Sequence, residues 1–194
     1  MARRLLLALA ALLLTGCAGG DGDRDLVRSG DLSRIVLQEA DLPQAFIRFD
    51  EGRQARADSP TGERADASRF GRQGGWKARY SRAGSPATRG PLVVESLADV
   101  FESSEGAEQE LRAHREQLSA GGKLLDAPGL GDGAVAGVME QGGGPAAVRF
   151  YTVVWRRGNV TASVVANGFA ARFSLADVLS LARAQDRRIT RALE

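Results

Sequence analysis

The sequence predicts an α+β domain: an antiparallel sheet of about five strands packed by helices. Three observations carry this prediction. Strand-type patterns recur in five segments after Trp76. Two stretches, 103–119 and 174–193, have apolar residues at helical spacing and polar caps at their starts. The strands come as a pair and then a run of three, the pattern of α+β folds and not of singly alternating α/β folds.

The N-terminus is read first as an address. Arg3 and Arg4 precede an unbroken apolar run, Leu5 to Leu14, which leads into Leu14-Thr15-Gly16-Cys17. A short basic region, an apolar region and a small-residue site make a secretory signal. Ten residues of helix reach about 15 Å at roughly 1.5 Å per residue, half of a bilayer core of about 30 Å. Cys17 is the only cysteine, so no internal disulfide can form. The last four residues resemble the lipobox of bacterial lipoproteins. The resemblance implies cleavage before Cys17, lipidation of Cys17 (diacylglycerol on its thiol, palmitate or a like chain on the new N-terminus), and an extracytoplasmic location at the cell membrane, or at an outer membrane where one exists. The predicted organisation is signal peptide 1–16, lipidated flexible tether 17–30 and one domain 31–194. Asp21, Asp23 and Asp25 in the tether do not complete a calcium loop, because Leu26 stands where the turn glycine belongs.

Leu32, Ile35 and Val36 fit a short amphipathic helix with Asp31 as N-cap, ended by Asp41-Leu42-Pro43. Residues 48–75 are charged and poor in large apolar groups, with a short helix predicted from Thr61 to Phe70. Trp76, Ala78 and Tyr80 alternate with polar residues as the first strand. Leu92 to about Phe101 is the second. Ser103 or Ser104 caps a helix to about Ser119, with Ala107, Leu111, His114 and Leu118 on one face. A third strand lies near Ala134–Glu140, a fourth at Ala146–Arg156 and a fifth at Val160–Ala166. The last two form a hairpin turning at Gly158-Asn159 or Arg157-Gly158. Either turn puts Tyr151, Val153 and Trp155 on one face with Val160, Ala162 and Val164, and Trp155 is expected to be buried there. Ser174 and Asp177 form a capping box for the final helix.

Removing Arg3 and Arg4 from the 26 basic residues leaves 24, equal to the 24 acidic ones. A neutral mature chain does not fit a dedicated nucleic-acid binder. The sole histidine, His114, is expected to be packed rather than catalytic; no G-x-S-x-G elbow accompanies it. Histidine and cysteine are too few for a zinc site, and no metal or cofactor is expected. The loop Gly129-Leu-Gly-Asp-Gly133 reads as a tight lead-in to a strand, since neither a P-loop lysine nor a helix follows it. Glu105, Glu108 and Glu110 are placed on the exposed side of the first long helix. Residues 48–89 carry ten basic residues against five acidic ones. Within this stretch Arg69, Arg72, Lys77, Arg79 and Arg82 are candidates for contact with an anionic membrane surface.

Four segments, 38–46 (QEADLPQAF), 75–80 (GWKARY), 129–134 (GLGDGA) and 155–160 (WRRGNV), resemble small exported actinobacterial-type lipoproteins of unassigned function. Those proteins carry a PsbP-like or sensor-type α+β domain. The resemblance implies a fold class and an envelope location, and transfers no catalytic residue. The expected function is a membrane-anchored envelope lipoprotein whose domain binds a ligand or protein partner without catalysis. The alternative is an envelope hydrolase using carboxylates or a serine with His114.

Overall fold

The computed structural model describes residues 26–43, 45–54 and 70–194. Cys17 and its signal segment, the tether up to residue 25, the helix anticipated from Thr61 and the side chain of Arg69 lie outside the described residues. The described chain folds as α+β, with two α-helices on a seven-stranded sheet in place of about five strands. All pairings are antiparallel and the strand order is β1-β2-β3-β7-β6-β5-β4. The strands are β1 (Ile47–Gln54), β2 (Arg72–Ser81), β3 (Val93–Phe101), β4 (Lys123–Leu125), β5 (Gly133–Gln141), β6 (Val148–Arg157) and β7 (Val160–Phe169). The helices are α1 (Ser104–Gly121) between β3 and β4, and α2 (Leu175–Leu193) at the end. No described helix is long and apolar enough to cross a membrane.

The two additional strands are the sheet's edges. β1 has four charged residues in eight and pairs only with β2, across a register shift between Arg48 and Asp50. β4 is three residues long. Edge strands need one neighbour and little apolar surface, so neither produces a strong alternating pattern.

The helices lie on opposite faces of the sheet. Trp155, Val153, Val160, Ala162 and Val164 form the main core with Val178, Ala182 and Ile189 of α2. Trp155 is fully buried there, and its Nε1 donates to Asp186 at 3.1 Å. Arg157 donates two further bonds to Asp186, at 2.7 and 2.6 Å. That hydrogen bonding raises the Arg157 guanidinium further above its ordinary value. Ser174 and Asp177 form the capping box that starts α2, the Ser174 N–H donating to Asp177 at 2.9 Å. On the other face Leu111 of α1 packs on Val135 and Val154. Ser103 caps α1, accepting from the Gly106 N–H at 3.2 Å.

The hairpin register pairs Trp155 with Ala162 and Arg157 with Val160, which selects Gly158-Asn159 as the turn. Gly158 has φ +55°, the left-handed conformation that glycine adopts without penalty. Asn159 is buried because its amide joins three segments. It accepts from the Val27 N–H, and it donates to the carbonyls of Val27 and Phe101, each at 2.9 Å.

Residues 31–38 differ from the predicted helix. Leu32–Arg34 is a single 3-10 turn and Asp31 makes no side-chain cap bond. Leu32, Ile35 and Val36 are nevertheless buried in the main core. The helix stops because the sheet takes up the next backbone groups. The Leu37 N–H donates to Ser96 Oγ at 2.9 Å, and its carbonyl accepts from the Tyr80 hydroxyl at 2.6 Å. Burial pushes the Tyr80 phenol above its ordinary value, with Arg48 pulling it partly back, so it stays protonated as a donor.

Candidate functional site

Side chains alternate across a strand, so strands β3, β5, β6 and β7 each present a second set of residues to the α1 side. Register arranges these in rows. Leu97, Ser163, Val154 and Val135 lie opposite one another. The next row is Arg79, Glu95, Val165, Thr152 and Gly137, and the last is Val93, Asn167, Phe150 and Met139. One helix cannot cover all of this face. α1 lies over the first row, and beside its C-terminal half no described residue covers the sheet.

The result is a groove of about 580 Å³. Its floor is Leu97, Val154, Val165, Phe150 and Met139, with Thr152 and Ser163 as the hydroxyl groups. Its wall is His114, Gln117 and Leu118, ending at Gly121-Gly122. Met139 is 48% exposed. Small-molecule sites typically have this size, a mainly apolar lining and a few polar groups. Gly137 keeps the floor low against the helix: a Cβ there would stand 3.0 Å from Leu118 Cδ2.

The wall carries a Glu110–His114 contact, and of the two the sequence pattern misplaced Glu110. Glu110 is buried, not exposed, and its Oε1 lies 3.2 Å from His114 Nε2. The side chain of His114 is 12% exposed and borders the groove. One turn of helix separates the two residues, the i,i+4 spacing that puts side chains on one face. Glu105 and Glu108 are exposed, as expected.

The five basic residues singled out for an anionic surface are occupied or outside the described residues. Arg72 is a correction, being only 5% exposed and donating to Asp99 at 2.9 and 2.6 Å. Its guanidinium is buried against Asp99 and is not presented at the surface. Lys77 lies 3.6 Å from Asp50, and Arg79 bonds Glu95 at 2.5 Å. Arg82 donates to the carbonyls of Pro91 and Arg89 and lies over the Phe46 ring. Among the described residues no cluster of three His, Cys, Asp or Glu side chains is placed to hold a metal.

Asp132, at the centre of the glycine loop, is structural. Its carboxylate accepts from the Gly158 N–H at 2.8 Å, tying the loop to the hairpin turn. The groove itself was missed because no motif marks it. A signal existed: β5, β6 and β7 carry apolar residues on both faces, as strands covered on both sides do.

The fold has a known counterpart. It is similar to the crystal structure of the extracellular domain of PknH from Mycobacterium tuberculosis. The TM-score is 0.65 at 11% identity, over 87% of this chain and 99% of that one. The likeness is one of fold, and at that identity it carries over no site residue. No protein-family model and no curated protein sequence matches the chain.

Proposed function

We propose that this protein is an extracytoplasmic lipoprotein, tethered to the envelope membrane through Cys17, whose sensor-type domain binds a small, mainly apolar ligand without catalysis. The observation that carries the binding role is the groove beside α1. It has an apolar floor of suitable volume, and Glu95 (paired with Arg79), Thr152, Ser163, His114 and Gln117 are the polar side chains that line it. The signal pattern ending at Cys17 supports export, and the fold's likeness to an extracellular domain agrees with it.

The test uses an apolar fluorophore, 1-anilinonaphthalene-8-sulfonate, and a variant that fills the floor, Thr152→Trp. The protein is expected to bind the dye, and the folded variant to bind it at least about tenfold more weakly, as for a large side chain occupying a pocket. Native mass spectrometry of protein from its own envelope is expected to show a small-molecule adduct that the variant lacks. Equal dye binding by both proteins together with no adduct would refute the groove as the site.

One observation favours the hydrolase alternative. Buried Glu110 orients His114 in the same groove as Ser163, and an oriented histidine is what a serine nucleophile needs. The binding reading expects no turnover of a simple acyl ester. Turnover that disappears in folded His114→Gln protein would replace binding with catalysis.

A further inference from the structure

The strands all run between two poles, and the described chain starts at one of them. Val27 is bonded through Asn159 to the β6–β7 turn. Arg157 of the same turn is bonded to Asp186, so the last two turns of α2, with Arg188 and Arg191, lie at that pole too. There, Asp31, Arg34, Arg188, Arg191 and Ala192 line a cleft of about 370 Å³. Three guanidinium groups face one carboxylate. The Arg34 side chain is 82% exposed, 3.5 Å from Asp31. Arg188 is braced by Asp41 at 2.6 and 3.2 Å. Arg191 and neighbouring Arg28 are exposed and have no ion pair among the described residues.

We infer that this cleft is a contact site for the phosphates of anionic membrane lipids. Arginine's planar fork matches a phosphate's oxygens in pairs. The cleft opens at the pole that faces the proposed anchor: Cys17 is nine residues before Leu26, a reach of at most about 30 Å. The groove's end residues, Gly121, Met139 and Phe150, belong to the opposite pole. Seating the arginine cleft on the membrane therefore turns the groove outward. The inference rests on the envelope-membrane reading above, but its test does not use the lipid on Cys17, so the two can fail separately.

All the described strands, both described α-helices and the described core lie within residues 26–194, so a chain of 18–194 carries the described fold with its Asp-rich tether. This chain is sedimented with vesicles of phosphatidylcholine alone or mixed with phosphatidylglycerol. It is expected to bind the mixed vesicles only, and to be released as salt is raised. Arg34→Gln with Arg191→Gln should weaken binding roughly thirty-fold, the loss of two basic residues at an anionic surface. Arg89→Gln with Arg172→Gln is the control. These exposed arginines lie at the other pole, joined by the Gly90 N–H to Arg172 carbonyl bond of 2.9 Å, and the net charge changes equally. The control pair is expected to leave binding within about twofold, since exposed charges beyond a Debye length are screened. No binding to mixed vesicles, equal binding to neutral ones, or equal loss in both pairs would overturn the inference.

Discussion

Trp155 shows how one residue joins core and polar network. Its ring is fully buried between the sheet and α2, and its one polar atom is satisfied by Asp186. Asp186 in turn takes both bonds from Arg157, so the carboxylate is paired as well as buried. Two substitutions separate these contributions. Trp155→Ala is expected to cost roughly 3–5 kcal/mol in denaturant unfolding, the range for deleting a large buried aromatic. Trp155→Phe keeps most of the apolar contact and loses the N–H donor, and is expected to cost only about 1–2 kcal/mol. A loss below about 1 kcal/mol for Trp155→Ala would contradict the buried face. Glu110 and His114 obey the same rule on the other side of the sheet, where a buried carboxylate is tolerated because a partner sits one helical turn away.

At the scale of the element, the loop 129–133 is set by where its glycines stand. Gly129 and Gly131 both have positive φ, +69° and +56°. A Cβ at Gly129 would meet nothing within 4 Å, whereas one at Gly131 would stand 2.1 Å from the Arg156 carbonyl oxygen and 2.9 Å from Trp155 Cδ1. Gly129→Ala is therefore expected to cost about 1–2 kcal/mol, the price of a left-handed conformation alone. Gly131→Ala adds a collision with backbone and is expected to cost about 2–3 kcal/mol more. Equal melting temperatures for the two variants would show that the close approach is not rigid. Elements of this kind explain what the sequence made legible. The hairpin face, the Ser174–Asp177 box and a serine cap at Ser103 or Ser104 were readable because period, turn chemistry and capping are local, and the structure selects Ser103. β1 and β4 were not, since one is charged and the other short, and both owe their form to a single neighbour. Gln185 and Asp186 were equally hidden on α2. They point inward because Ser96, Leu97, Trp155 and Arg157 on the sheet supply their partners, and helical periodicity cannot know this. The groove belongs to the same class. It arises where one helix is too narrow for four strands, a property of assembly and not of any segment.

The whole molecule has two distinct poles and two distinct faces. α2 and the N-terminal segment close one face of the sheet, and α1 leaves part of the other open. The arginine cleft and the start of the described chain share one pole, while the groove ends at the other. This polarity has functional meaning only if the chain is held at the first pole, which makes Cys17 the decisive residue at this scale. Each buried methylene contributes roughly 0.8 kcal/mol, so a single chain binds reversibly and two or more hold firmly. The arginine cleft alone, at about 1 kcal/mol per basic residue, orients a domain but does not anchor it. Cys17→Ser should therefore move the protein from the membrane fraction to the soluble one or leave it unprocessed. Intact mass of the mature wild-type protein should begin at Cys17 and include acyl mass. If lipid on Cys17 is the anchor, Arg34→Gln with Arg191→Gln should leave fractionation unchanged. A mature chain that starts elsewhere and carries no lipid would remove the anchor, and the orientation of the groove would then depend on the cleft alone.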